Sequence, residues 1–139
     1  MKRILIFLFF ISAVGVFKAQ SVTTQSLKGS GWIITSIDNI ETGKSQVIDA
    51  SVKFTLKFDG DTTYSGLGCN TYKGNYKSDG LKTLTMKKAE SQGNSNCLGL
   101  GPLELKIWML YQKATRYRMT GDALFIFTSD DHRLVFKKF

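Results

Sequence analysis

Two cysteines, Cys69 and Cys97, and a single histidine, His132, are the side chains of this 139-residue chain best suited to act as nucleophiles or metal ligands. Zinc sites usually combine three or four such side chains, often including a CxxC pair, and the sequence contains no CxxC pair. A nucleophile needs a neighbouring base, and His132 lies in a polar turn followed by Arg133. We therefore predict no metal site and no catalytic triad.

The carboxylates give no clearer sign of catalysis. Glu41, Glu90 and Glu104 lie in three different sequence contexts with no evident pairing, whereas glycosidases need two carboxylates across one bond. Carboxylates that meet only in the folded chain stay an open alternative. Asp59-Gly60-Asp61 is similar to the start of a calcium loop, but Asn70 stands where that loop requires glutamate. We expect a hairpin turn there, no cofactor and no enzyme activity.

The first 19 residues have the layout of a secretory signal peptide. Met1-Lys2-Arg3 is basic, Ile4 to Phe17 is almost purely apolar, and the chain becomes polar from Lys18. The apolar run is shorter than the roughly 20 residues of a spanning helix. We expect cleavage after Ala19, a periplasmic or secreted protein, and no stable membrane anchor after cleavage. No cysteine near residue 20 offers a lipid anchor; the alternative is an uncleaved N-terminal segment.

Removal of that segment would take away three basic residues and no acid, so the formal charge falls from +8 to +5. A moderately basic surface could favour acidic glycans or phospholipid head groups, although ordinary solubilising charge is the simpler interpretation. The lysines are scattered rather than clustered, so we predict no nucleic acid partner. The length fits one domain, which we expect to be a monomer.

The two cysteines have a further consequence in an oxidising compartment. An even cysteine count in an exported chain is typical of disulfide bonding. A Cys69–Cys97 bond would close a loop of 29 residues, and the chain-entropy estimate for that loop is about 3.5 kcal/mol. We therefore predict one disulfide bond.

Most of the chain after residue 30 alternates between apolar and polar residues with period two, which predicts β-strands. Residues 20–29 are expected to be a flexible lead-in to a domain spanning 30–139. Lys87 to Leu100 has no periodicity and is predicted to be a long loop. Strands are predicted at Gly31–Ile34, Val52–Phe58, Thr62–Leu67, Tyr72–Tyr76, Thr83–Met86, Arg116–Met119, Ala123–Phe127 and Leu134–Phe136.

One helix is predicted, from Leu103 to about Ala114, which Gly101-Pro102 opens with the proline at the first helical position. It is apolar on nearly all sides, which indicates a helix enclosed by other structure, such as a curved sheet. The run Ala123–Phe127 is continuously apolar and so predicts a strand covered on both faces. We expect the helix on one face, and a second layer or a cavity on the other.

The segment Gly68-Cys69-Asn70-Thr71-Tyr72-Lys73-Gly74-Asn75-Tyr76 resembles the central motif of the META domain family, which includes the heat-inducible HslJ proteins. Trp32 stands where that family has its opening tryptophan. Tyr117, Gly121-Asp122 and Leu124 fit its closing pattern, and Leu134-Val135-Phe136 fits its final strand. The resemblance spans about residues 28–139, and the chain departs from it at Lys88 to Cys97.

The resemblance implies an α+β, mainly β fold: a curved antiparallel sheet or cracked β-barrel around one α-helix. It also implies a non-enzymatic envelope protein that binds a partner or contributes to stress tolerance. The alternative is a barrel for a small apolar ligand or lipid, which the 10 phenylalanines, 5 tyrosines and 2 tryptophans favour. In the central motif we expect structural roles for Gly68, Asn70, Gly74 and Tyr76. A binding surface formed by Asn70, Tyr72 and Asn75 is the functional alternative.

Overall fold

The structure is a computed structural model in which residues 26–92 and 100–139 are described. Its secondary structure is mainly antiparallel β-strand, with one α-helix between the seventh and eighth strands. The elements are β1 (Gly31–Asn39), β2 (Ser45–Val47), β3 (Thr55–Phe58), β4 (Thr63–Leu67), β5 (Thr71–Ser78), β6 (Leu84–Met86), β7 (Glu90–Gln92), α1 (Gly101–Gln112), β8 (Ala114–Thr120), β9 (Ala123–Thr128) and β10 (His132–Lys138).

The strands form a sheet in the order β6-β5-β4-β3-β1-β10-β9-β8, with β2 added to β1 and β7 added to β5. The two end strands approach each other. Thr83 and Arg116 form a bridge between them, and the Tyr117 amide donates a 2.7 Å hydrogen bond to the Lys82 carbonyl. The sheet is thus a nearly closed barrel around one helix, and the predicted fold class is confirmed.

Helix α1 differs in its bounds from the predicted Leu103–Ala114. It begins at Gly101, with Pro102 in its first turn, and ends at Gln112. Ala114 is instead the first residue of β8 and is buried. The place of Pro102 agrees with the prediction, because proline is well tolerated in a first turn, where its missing N–H would have no partner.

The burial of α1 confirms one part of the prediction and corrects another. Ile107 and Leu110 are 1% and 4% exposed, so the helix packs on the core as predicted. Leu105 and Met109 are 60% and 51% exposed, so a helix enclosed on all sides is wrong. One face of α1 is therefore apolar but lies at the surface.

The inner face of the sheet and the buried face of α1 share one apolar core. Its largest fully buried side chains come from the first, third, fourth, sixth, ninth and tenth strands and from the helix. The interior of the barrel is filled by these side chains, among them Trp32, Tyr64, Tyr111, Phe58, Phe136, Ile34, Leu56, Leu84, Met86, Ile107, Leu124 and Ile126.

Two short strands lie where the sequence predicted none. β2 and β7 each consist of three exposed residues, so no buried alternation marks them. β7 lies inside the stretch Lys87–Leu100 that we predicted to be a loop. β3 is shorter than the predicted strand Val52–Phe58, although Phe54 just before it is buried.

The outer face of β9 corrects another expectation. Phe125 and Phe127 were expected to lie beneath a second layer or to line a cavity. In the described part of the chain, the Arg116 guanidinium lies 5.2 Å from the centre of the Phe127 ring and the Arg118 guanidinium 5.0 Å from that of Phe125. Arginine side chains from the neighbouring strand thus cover these rings, where a second layer of secondary structure or a cavity was expected.

Some predictions fall beyond these residues. The proposed signal peptide (1–19) and Cys97 lie outside the described part of the chain. Leu27, within the predicted lead-in, is 3% exposed and belongs to the core. No helix among the described residues has the length and apolar character needed to cross a membrane.

Candidate functional site

The exposed face of α1 borders a groove of about 620 Å³. Leu105, Trp108 and Gln112 follow one another at intervals of three and four residues, so they lie on one side of the helix. Tyr72 of β5 and the segment 88–91, which leads into β7, form the other side. Ligand sites commonly have volumes of about 300–1,000 Å³ with mostly apolar linings, and this groove fits that description.

Trp108 connects the groove to the core. Its ring centre lies 4.0 Å from that of Tyr72 and 4.8 Å from that of Tyr111. Only 7% of Trp108 is exposed, and among the described residues its indole N–H has no hydrogen-bond acceptor. A buried donor of this kind is uncommon, so we attribute the position of Trp108 to ring packing and not to its polar group.

Gly66 explains how Trp108 can lie so close to β4. A Cβ atom at residue 66 would be 2.1 Å from Cη2 of Trp108 and 3.0 Å from the carbonyl oxygen of Thr55. Neither distance leaves room for a side chain. A glycine inside a strand often marks such a close approach, and this signal in the sequence could have identified the site of contact with the helix.

Glu104 is a buried carboxylate, 2% exposed, in the first turn of α1. Its Oε1 accepts a 2.8 Å hydrogen bond from the backbone N–H of Asn70, and its Oε2 accepts a 2.9 Å hydrogen bond from the side-chain Nδ2 of Asn70. A negative charge near a helix N-terminus is also favoured by the helix dipole. The Gly-Cys-Asn motif is thereby tied to the helix that carries the groove.

Gly68 leaves room for the contact between Asn70 and Glu104. A Cβ atom there would lie 2.4 Å from the Phe54 ring and 2.6 Å from Glu104 Oε1. The structural role expected for this glycine is thus to leave room for the Phe54 ring and the Glu104 carboxylate. The burial of Glu104 could not be predicted from local sequence, since its partner lies 34 residues away.

Two of the three residues of the expected binding surface lie together. Asn70 is engaged with Glu104, and the Tyr72 hydroxyl interacts with both the Asn70 side chain and the Glu104 carboxylate. Burial, together with the Glu104 charge, raises the pKa of the Tyr72 hydroxyl. Asn75 is exposed in a different depression, beside Lys73. Tyr72 lines the groove, and a binding role for the three residues stays a prediction.

Most other residues of the predicted motif have structural contacts. The Trp32 indole donates to Ser30 Oγ at 2.7 Å, and the Tyr76 hydroxyl donates to the Gly60 carbonyl at 2.6 Å. At Gly74 a Cβ atom would meet the Tyr64 ring at 2.7 Å, which supplies the aromatic neighbour expected there.

Gly121-Asp122 forms the two-residue turn between β8 and β9. Thr120 and Ala123 pair across it, and Gly121 has φ +57°. Positive φ at the first turn residue alone is the pattern of a type II′ hairpin turn. The Gly-Asp pair therefore sets the register of the β8–β9 hairpin.

Cys69 is half-buried, and the described part of the chain contains no free cysteine. Because Cys97 lies outside the described residues, its pairing with Cys69 stays a prediction. Among the described residues, no three histidine, cysteine or acidic side chains cluster as metal ligands do. Asp59-Gly60-Asp61 forms the hairpin turn between β3 and β4, with the Asp59 amide donating to the Thr63 carbonyl.

His132, the lone imidazole, is the first residue of β10. Its Nδ1 lies 2.9 Å from the Asp130 carbonyl oxygen. Thr128 Oγ1 donates to the Asp130 carboxylate at 2.6 Å. Partial burial of Asp130 opposes its ionisation, but hydrogen bonds from Lys113 and Thr128 outweigh it and lower the pKa of Asp130 to about 2. These contacts hold the β9–β10 turn in place.

Comparison with protein families decides which domain this is. Residues 25–138 match the META domain. The chain belongs to the META domain family. The family resemblance read from the Gly-Cys-Asn motif and its flanking strands is therefore confirmed.

Two solved structures share the fold of this META domain. The NMR structure of a protein from Burkholderia xenovorans is 18% identical, with a TM-score of 0.66, over 81% of this chain and 83% of that one. The crystal structure of a DUF4847 family protein from Bacteroides vulgatus is 12% identical, with a TM-score of 0.59, over 78% and 92%. At these identities the likeness concerns the fold alone. The search of curated proteins gave no significant match.

Proposed function

We propose that this META domain protein is an exported, non-catalytic envelope protein that binds a partner protein. The groove between α1 and β7 is its docking site, and an apolar side chain of the partner is the group it takes. The observation that carries the proposal is the combination of a filled barrel with an apolar helix face left at the surface.

Exposure along α1 supports a protein partner. Leu105 and Met109, one helical turn apart, are both more than half exposed, whereas Trp108 between them is buried. Apolar surface of this kind, beside an aromatic groove, marks interaction sites more often than it marks ordinary surface. The polar residues Lys88, Glu90 and Gln112 surround it, as in protein interfaces with an apolar centre and a polar rim.

Export and a stress-related role have a different basis. Export is proposed from the basic and apolar residues 1–17, and stress tolerance from the family resemblance. A non-catalytic role is proposed because His132 and the buried Glu104 are both engaged in contacts that hold the fold together.

The second candidate is a small apolar ligand in the same groove, and the groove volume favours it. The two candidates differ in what they need. A small ligand needs enclosure by Tyr72 and Trp108, while a protein partner also uses the exposed Met109, which is not part of the groove lining.

Site-specific crosslinking in the native host tests the proposal. A photoreactive amino acid replaces Leu105 in one strain and Leu81 in another. Leu81 is the control because it is similarly exposed but belongs to a different segment of the chain. We expect one envelope protein to crosslink at residue 105 and not at residue 81. The purified partner should then lose affinity for Leu105→Asp and retain it for Leu81→Asp.

Native mass spectrometry of the protein from its host separates the two candidates. A retained small molecule that Trp108→Ala releases, together with no specific crosslink, would replace the partner proposal with the ligand proposal. Saturable turnover of a hydrolase substrate, abolished by one polar substitution, would contradict the non-catalytic role.

A further inference from the structure

The outer face of β8, β9 and β10 carries three arginines on two phenylalanine rings. Arg116 lies over Phe127, and Arg118 and Arg133 lie over Phe125, at 5.2, 5.0 and 5.9 Å from the ring centres. Arginine stacks on aromatic faces through cation–π attraction. The rings therefore hold the guanidinium groups flat against the sheet.

One of the three arginines already binds a carboxylate. Arg133 donates from Nε and Nη2 to Oδ2 of Asp38, at 3.0 and 2.7 Å. Hydrogen bonds from Ser36 and Ser45 fix the same carboxylate. This face of the sheet thus shows, within one chain, how a ring-supported guanidinium engages an acid.

Arg116 and Arg118 repeat that arrangement without the acid. Both are exposed, and neither forms an ion pair with any acidic residue in the described part of the chain. A guanidinium is planar and matches the two oxygens of a carboxylate. We infer that Arg116 and Arg118 bind two carboxylates of an acidic protein segment, and that this segment belongs to another molecule.

The spacing of the two arginines indicates the conformation of that segment. Arg116 and Arg118 are two residues apart on one strand face, which separates them by roughly 6.6–6.8 Å. In an extended chain, side chains at positions i and i+2 share one face with the same separation. An acidic segment with Asp or Glu at alternate positions would therefore place a carboxylate on each arginine.

The surface suits an acidic peptide better than a membrane. Phe125 and Phe127 are partly buried beneath the guanidinium groups, so these rings are not free to enter a bilayer. Salt screens a loose electrostatic attachment strongly, whereas paired carboxylates in register add directional hydrogen bonds. This surface lies on the outer face of the sheet and does not depend on the groove proposed above.

An NMR titration of the protein purified from its host tests the inference. The probe is an eight-residue peptide of alternating Glu and Thr, and its control is a peptide of the same composition with the four Glu together. We expect the alternating peptide to shift the side-chain Nε–H signals of Arg116 and Arg118. Its affinity should exceed that of the control, because only it holds alternate carboxylates on one face.

Three double variants sharpen the test, and the first two remove the same amount of positive charge. Arg116→Gln with Arg118→Gln should weaken binding about tenfold, the sum of two modest exposed ion pairs. Lys73→Gln with Lys77→Gln removes the same charge from β5 and should have little effect. Arg116→Lys with Arg118→Lys keeps the charge but loses the planar donors, and should give an intermediate loss.

The inference is overturned by any of three results: equal affinity for the two peptides, equal losses in the Gln variants of β8 and β5, or full binding by the double Lys variant. Stronger binding to a single-stranded oligonucleotide, or to vesicles containing phosphatidylglycerol, would also overturn it in favour of another anionic class. Melting curves of all variants confirm that each is folded.

Discussion

The two halves of the barrel differ in their use of glycine. In β4 and β5 and the turn between them, Gly66, Gly68 and Gly74 remove side chains so that Trp108, Glu104 and Tyr64 can lie against the backbone. β8, β9 and β10 contain no glycine, and β9 carries apolar side chains on both faces. The first half leaves room for side chains such as Trp108 to pack against its backbone. The strands of the second half, without glycine, leave no such space, and their side chains project from both faces of the sheet.

The difference shows where each half can bind a partner. The glycine-containing half brings Trp108 and Tyr72 together at the surface and leaves a groove beside them. The C-terminal half has a depression of about 540 Å³ beside Phe125, Arg133 and Val135, and its phenylalanine rings support exposed arginines. An apolar partner therefore fits the first half, and an acidic partner fits the second.

Helix α1 is the element that both halves share, so truncating its core should have the largest effect. Leu110→Ala removes a side chain that is 4% exposed, and such cavities lower the free energy of unfolding by about 2–5 kcal/mol. The measurement is denaturant unfolding. Leu105→Ala, on the exposed face of the same helix, should change stability by about 0.5 kcal/mol or less. Equal losses in the two variants would contradict the assignment of the buried face.

Gly66→Ala should have the next largest effect, because the new methyl group would overlap Trp108. Overpacking of this kind usually lowers stability by about 1–3 kcal/mol. Trp108→Phe should relieve part of the loss, since it removes the overlapping atoms and an indole N–H without an acceptor.

Gly101→Ala is the control for that substitution. Among the described residues, no atom outside its chain neighbours and its own helix backbone lies within 4 Å of the position of a Cβ there, and its backbone is helical. It should be neutral or slightly stabilising. If Gly66→Ala and Gly101→Ala behaved alike, the contact between Trp108 and β4 would not constrain the fold.

Asn70→Ala separates a structural role of the central motif from a binding role. The change removes the donor to Glu104 Oε2 and leaves a buried carboxylate oxygen without that bond. A loss of about 1–3 kcal/mol in unfolding free energy should follow. Asn75→Ala, at the exposed position of the same motif, should stay within about 0.5 kcal/mol. If Asn70→Ala left the free energy of unfolding unchanged, Asn70 would be a candidate for a binding role instead of a structural one.

Period-two alternation predicted strands in which one face is buried, as in β3. Continuous apolar runs predicted β9 and β10. Neither pattern could predict β2 and β7, whose residues are all exposed. The helix was correctly placed, but the exposure of Leu105 could not be inferred because an apolar face looks the same whether covered or not. The Asn70–Glu104 contact joins residues 34 apart, and no local pattern encodes such a pair.

The phenylalanine support of the arginines should give the smallest effect, and it tests how the second half of the barrel differs from the first. Arg118→Gln, Phe125→Leu and the double variant form a double-mutant cycle of unfolding free energies. An exposed cation–π pair contributes about 0.5–1 kcal/mol, so the coupling energy should have that size and a stabilising sign. Lys73→Gln combined with Phe125→Leu is the control cycle, since distant sites are additive within about 0.5 kcal/mol. A coupling no larger than the control would mean that the rings do not hold the guanidinium groups in place. The arginines of β8 would then be ordinary mobile surface charges, and the contrast between a groove for apolar groups and a fixed basic face would disappear.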